Sequence, residues 1–263
     1  MSGEPVLSGA VPVALGFLFG AIFGSFLNVC ILRLPADQSL VRPASHCPRC
    51  GKAVAWYDNI PIVSWMLLRG RCRRCSEPIS AQYPLIELTT ALIWAAAAWR
   101  YGLAVEALRA AAFGTILLGI AMTDAREYII PDEFTWGGLA IGLLLSVGGG
   151  RAGLGDALLG AAVGFGLLWL VGALGTWMLK QEAMGGGDIK MMAMVGAFLG
   201  WKGVLVTIFL GALLGSLIFV PLALAGRRKL VPFGVFLAIG AAAAYVAGPA
   251  LYAWYASYLG VSA

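Results

Sequence analysis

The sequence predicts an all-α polytopic membrane protein with about eight transmembrane helices and one small extramembrane loop domain. Three observations predict it. Hydrophobic residues make up 60% of the 263-residue chain and charged residues only 12%, where a soluble domain carries roughly 25% charged residues. Mean hydropathy is +0.87. Apolar runs recur along most of the chain, and several are long enough to cross a bilayer.

The runs lie at 9–32, 83–99, 108–124, 133–149, 157–179, 189–200, 203–225 and 233–256. The first is long, lacks a basic start and is followed by many others, so it reads as a retained span and not a cleaved signal. The 189–200 run would cover only about 18 Å at 1.5 Å per residue, so it begins within the preceding glycines or is partly re-entrant. Alternating the loops puts fourteen of the eighteen Lys and Arg residues in or beside 33–82, 125–132, 180–188 and 226–232. That bias makes this side cytoplasmic and turns both termini outward. The net charge of +5 therefore reports topology, and no nucleic-acid partner is implied. The chain divides into a first span (1–32), a cytoplasmic loop domain (33–82) and a seven-helix membrane core (83–263). Small residues in GFLFGAIFGS (16–25) and GALLGS (211–216) allow close helix approach within the chain or in a homodimer.

Four of the five cysteines fall in CPRC (47–50) and RCRRC (71–75). Two C-x2-C pairs twenty-one residues apart have zinc-ribbon spacing, so Cys47, Cys50, Cys72 and Cys75 are the candidate ligands of a structural Zn²⁺. A loop this small lacks the apolar mass for a large core, and a metal would supply the folding energy. Nearby Lys52, Arg71, Arg73 and Arg74 would offset the charge of a tetrathiolate centre. Disulfides are the alternative, but they need an oxidising compartment, which the topology argues against. The NIPIVSWMLLRG stretch (59–70) is too short to span and reads as a buried segment or an interfacial helix.

Acids are rare in the spans. Asp124 ends the third run, Asp132 and Glu133 open the fourth, and Asp188 follows Gly185, Gly186 and Gly187 at the start of the sixth. Asp124 and Asp188 are placed to meet at one membrane face. Two close carboxylates share a proton, and such a pair activates water and polarises a scissile carbonyl. The three glycines would let the backbone adopt conformations closed to other residues and let a substrate strand approach. The bland readings are an interhelical turn at the glycines and helix capping by Asp188 and Asp132.

Several blocks occur together: GSFLNVCILRLP (24–35), the two cysteine knuckles, ISAQYPLIELTTAL (79–92), TDAREYIIPD (123–132), GGGDIKMMAMVGAFLGW (185–201) and RRKLVPFG (227–234). In that order they resemble the type IV prepilin peptidases, aspartic endopeptidases of the GxGD class. The resemblance implies a bacterial inner-membrane enzyme that cuts the basic leader from prepilins or type II secretion pseudopilins after a Gly, at the cytoplasmic face. It places the catalytic pair on Asp124 and Asp188 and the zinc ligands on the four loop cysteines. It also implies N-methylation of the new N-terminus with S-adenosylmethionine, an activity associated with the large first loop. Asn28, Asp58, Asn59, Glu77 and Glu87 are candidates for holding that donor. A polytopic transporter and a non-catalytic secretion scaffold are the rival classes, although no inverted repeat supports transport.

Overall fold

The computed structural model describes residues 9–147, 153–224 and 232–258, and the chain is an all-α polytopic membrane protein. The helices are α1 (Ala10–Arg33), α2 (Val63–Leu67), α3 (Gln82–Tyr101), α4 (Val105–Glu127), α5 (Asp132–Ser146), α6 (Leu154–Leu179), α7 (Gly186–Leu224) and α8 (Phe233–Tyr258). The basic stretch Arg227, Arg228 and Lys229, and Arg151, lie outside the described residues. Two compact units divide the chain after Thr115, so α4 gives its first half to one and its second half to the other.

In the first unit, α1 packs along α3 through glycines four residues apart. A Cβ at Gly16, Gly20 or Gly24 would fall 2.7–2.8 Å from backbone atoms of Trp94, Ala91 or Glu87. Without side chains at those positions the two backbones approach closely, as in membrane helix pairs generally. The glycine stripe is thus used within the chain. The loop between these helices has almost no core. Its apolar stretch forms only the five-residue α2, with Met66 and Leu67 66% and 77% exposed. Trp65 is held by its indole N–H, which donates to the Ile79 carbonyl at 3.1 Å.

In the second unit, α7 is the central element. Met191, Met192, Met194, Val195 and Ala197 are fully buried. Gly160 and Gly164 of α6 lie against the α7 backbone at Gly196 and Met192. Gly138 and Gly142 of α5 make room for Met194 and Phe198. Farther along, Gly240 of α8 meets the backbone of Thr207 and Gly211.

The expected eight independent spans are corrected. Among the described residues, four helices are long and apolar enough to cross a membrane by length and composition: Ala10–Ala36, Val105–Glu127, Leu154–Leu179 and Gly186–Leu222. The 189–200 and 203–225 runs are two helical parts of α7 that meet at a kink at Gly200, where φ 69° and ψ 176° are not helical. The short run is therefore the buried first part of α7. At 15 residues, α5 rises only about 22 Å. Gln82, Glu87 and Arg100 dilute the hydropathy of α3, and the described apolar stretch of α8 is Phe233–Gly248.

Candidate functional site

The second unit brings together the ends of α4, α7 and α8. Asp124 lies near the end of α4 and is 5% exposed. Its Oδ2 accepts a hydrogen bond from the Val235 N–H at 3.0 Å, and the Gly234 N–H also binds this carboxylate. Both donors belong to the first turn of α8, where backbone N–H groups have no partner in their own helix. A carboxylate placed there also faces the positive end of the helix dipole. Gly234 is required by space: a Cβ would fall 2.9 Å from Asp124 Oδ2 and 2.7 Å from Ile130 Cδ1.

Asp188 occupies the first turn of α7. Its Oδ1 is buried and, among the described residues, accepts no hydrogen bond. Asp124 is close enough to act on it electrostatically. The two acids singled out in the sequence are thus neighbours in one unit, and the lysine two residues along from Asp188 is engaged elsewhere. Lys190 Nζ lies 2.7 and 2.8 Å from the two carboxylate oxygens of Asp132. Asp132 is not the expected cap of α5: the N-cap is Pro131, and no side chain caps it.

The left-handed backbone conformation expected of the glycine run is not adopted. None of Gly185, Gly186 and Gly187 has a positive φ. What matters at Gly187 is the missing side chain, because a Cβ there would fall 2.9 Å from the Ile130 Cβ. Ile130 thus covers both Gly187 and Gly234. Gly185 and Gly186 are exposed, and nothing lies within 4 Å of where a Cβ would sit on Gly186.

In the loop of the first unit, the sulfur atoms of Cys47, Cys50, Cys72 and Cys75 all lie within 4.8 Å of one another. Cys47 and Cys75 are 3.7 Å apart, near the ~3.8 Å edge of a tetrahedron with 2.3 Å metal–sulfur bonds. None of these four is in a disulfide. The two knuckles are alike: Gly51 N–H donates to the Cys47 carbonyl and Ser76 N–H to the Cys72 carbonyl, each at 2.9 Å, and both turn residues have positive φ. Backbone N–H groups of Cys75 and Arg74 hold the Cys72 thiol down to about 7. The cluster can coordinate a metal.

The five donor-site candidates separate. Asp58 is held by Arg73, at 2.6 Å to Nη2, and Glu77 by Arg49 at 3.1 Å. Their charges brace the loop. Arg73 is thereby bound to a carboxylate and not reserved for the thiolates. Asn59 ends an exposed 3-10 turn. Asn28 and Glu87 are buried where α1 meets α3, at 2% and 7% exposure. Sequence reasoning gave no role to the α8 amides on Asp124 or to the Ile62 N–H, which donates to Glu87 Oε2 at 2.7 Å. The PFG string at 232–234 was the available signal for the first, since a helix start after Pro offers free N–H groups.

Residues 18–101 match the family described as bacterial peptidase A24 N-terminal domain, and residues 111–220 match the type IV leader peptidase family. A prepilin leader peptidase/N-methyltransferase of Myxococcus xanthus is 42% identical over 212 residues, covering 81% of this chain and 63% of that protein. The protein of the same description from Aeromonas hydrophila is 36% identical, over 92% of this chain and 93% of its own. That of Neisseria gonorrhoeae is 35% identical, over 91% of each. The chain thus spans just under two thirds of the Myxococcus relative and nearly all of the other two. No solved structure matches.

Proposed function

From the premise that the chain belongs to the type IV leader peptidase family, we propose that it is a membrane aspartic endopeptidase. Its substrates are prepilins or type II secretion pseudopilins, cut after Gly at the cytoplasmic face of the bacterial inner membrane. Both termini are periplasmic in this reading. N-methylation of the new N-terminus with S-adenosylmethionine follows the cut. The cysteine cluster holds a structural Zn²⁺, which all-thiolate ligation suits.

One observation carries the peptidase reading. Asp124 on α4 lies within electrostatic reach of the partly unpaired Asp188 on α7, while Lys190 is committed to Asp132. A dyad that shares one proton uses its ionised oxygen to take a proton from water, whose oxygen attacks the scissile carbonyl. The shared proton goes to the carbonyl oxygen as the tetrahedral diol forms. Collapse of the diol breaks the C–N bond, and the leaving amine takes a proton. The α8 amides orient Asp124 through these steps.

The test uses the full chain in liposomes with a prepilin that carries a Gly–Phe junction, read by mass spectrometry. Cleavage at that junction should fall roughly a thousandfold or more in Asp124→Asn and in Asp188→Asn, the scale of losing a catalytic group. Cleavage that survives in either variant would remove that residue from the dyad. A gain of about 14 Da on adding S-adenosylmethionine, one CH₂ of net mass, reports the methyl transfer that this cofactor supplies.

A further inference from the structure

The first unit contains a second polar site. Asn28 on α1 donates through Nδ2 to the carbonyls of Gly24 and Tyr83, at 3.3 and 3.1 Å. Both partners are acceptors, so the amide nitrogen must face them. The orphan is therefore the oxygen: Oδ1 is buried and has no partner among the described residues. Gly24, one helical turn before Asn28, lies against Glu87, one turn after Tyr83. The two helices thus bring Asn28 and Glu87 to one stretch of their interface.

Glu87 is held by the Ile62 N–H and by a hydrogen bond with the Ser25 side chain, and no ion pair forms on it among the described residues. The loop reaches it through a tight turn. Ile62 has φ 62° and ψ −53°, and Val63 N–H donates back to the Pro61 carbonyl at 2.6 Å. This is the geometry of a γ-turn with positive φ, rare for a β-branched residue. A buried carboxylate without a cation and a buried amide oxygen without a donor make a site that lacks a ligand with positive charge and N–H donors.

We propose that Asn28 and Glu87 bind a primary α-ammonium group, with Ile62 fixing the carboxylate. The inference rests on the methyltransferase reading, which supplies two such groups: the amino-acid end of S-adenosylmethionine and the free N-terminus of the processed pilin. Both present three N–H donors on one positive nitrogen. The orphaned Asn28 oxygen is the observation that fits such a group to these residues.

Equilibrium binding to the full chain in nanodiscs tests it without requiring turnover. The probes are S-adenosylmethionine, and a peptide with a mature pilin N-terminus in free and N-acetylated forms. Glu87→Gln keeps the shape and an acceptor for Ile62 but removes the charge, and Glu87→Asp keeps the charge. Thermal melting checks that both variants fold. Glu87→Gln should weaken one ammonium probe by about tenfold to a hundredfold, the range for a lost hydrogen bond to a charged group, with partial retention in Glu87→Asp. Loss confined to S-adenosylmethionine assigns the site to the donor. Loss confined to the free peptide, with the acetylated form unaffected, assigns it to the acceptor. Wild-type binding that Glu87→Gln leaves within twofold for every probe would overturn the inference and leave the methyltransferase reading standing. Absence of binding by the wild type to every probe would overturn both. If Glu87→Gln fails to fold, Asn28→Leu, which removes the orphaned oxygen at similar volume, should weaken the same probe severalfold with the fold checked by thermal melting; binding within twofold of the wild type would count against the site.

Discussion

Lys190 reaches both carboxylate oxygens of Asp132, at 2.7 and 2.8 Å, and so joins the first turn of α7 to the first turn of α5. Asp188 lies in that same turn of α7. The bridge is exposed, at 33% and 57% of the two side chains. Its use is to fix where the α7 start sits.

Breaking the bridge should therefore affect catalysis more than stability. Lys190→Met and Asp132→Asn should each cost under about 1 kcal/mol of stability, as exposed pairs do. Each should lower kcat for prepilin cleavage by roughly threefold to tenfold, about 0.7–1.4 kcal/mol in the barrier. The double variant should be no slower than the worse single one, because the second change removes a contact already lost. Additive losses in this cycle would mean that the two residues act separately.

Gly234→Ala should damage the acidic pair without touching either aspartate. The new Cβ would fall 2.9 Å from Asp124 Oδ2 and 2.7 Å from Ile130. Overpacking of this kind costs about 1–3 kcal/mol. Cleavage should fall at least tenfold, and truncating the obstructing side chain (Gly234→Ala with Ile130→Val) should recover part of it. Wild-type rates in Gly234→Ala would refute the close approach of α8 to Asp124.

The glycine run should respond unevenly. Gly187→Ala meets Ile130 at 2.9 Å and should lower the melting temperature. Gly186→Ala meets nothing within 4 Å, opens a helix and lacks a positive φ. It should leave the melting temperature unchanged or raise it, since Ala gains up to ~0.5–1 kcal/mol of stability over Gly in a helix. Equal melting losses in both would restore the view that the whole run needs glycine for its backbone.

The cysteine cluster should carry one metal ion per chain, measured by elemental analysis. Chelation should expose residues 45–80 to protease, as should Cys47→Ser with Cys72→Ser. Thiolates must be deprotonated to bind metal, so affinity should fall as pH drops below neutrality. Full protease resistance after complete metal removal would make the cluster dispensable for folding.

Asp58 gives that loop a second, separate pH response. The Arg73 hydrogen bonds and charge hold its carboxyl below its ordinary value of 3.8. A group depressed on folding stabilises above its unfolded value, and that stabilisation is lost as pH falls through the lower folded value. From pH 5 to 8 the pair should contribute a constant amount. Below pH 3.8 the wild-type loop should lose more protease resistance than Asp58→Asn, provided metal is absent from both. Identical acid profiles would show that the pair does not brace the loop.

Some of this was legible because it depends on local composition. Cys47, Cys50, Cys72 and Cys75 announce themselves by spacing, and two short knuckles complete the geometry. Asp124 and Asp188 stand out because acids are expensive beside apolar runs. The span count was not legible. Gly200 breaks α7 into two helical parts, and whether a short apolar run crosses a bilayer depends on what packs around it. The Asp132 cap failed for a related reason: Lys190, 58 residues away, takes its carboxylate.

The sequence by itself determined the chemistry available: a membrane-embedded helical chain, four thiols in two knuckles, and two acids at the ends of apolar runs. Hydropathy and ligand spacing are local properties that survive without knowledge of the fold. Only the tertiary structure decided the partners. It set the α8 amides on Asp124, with Val235 111 positions along the chain, and Ile62 on Glu87. It also made Gly187 and Gly234 two sides of one contact with Ile130. Such pairings follow from how whole helices pack, and helix periodicity says which face is apolar without saying which neighbour it will meet.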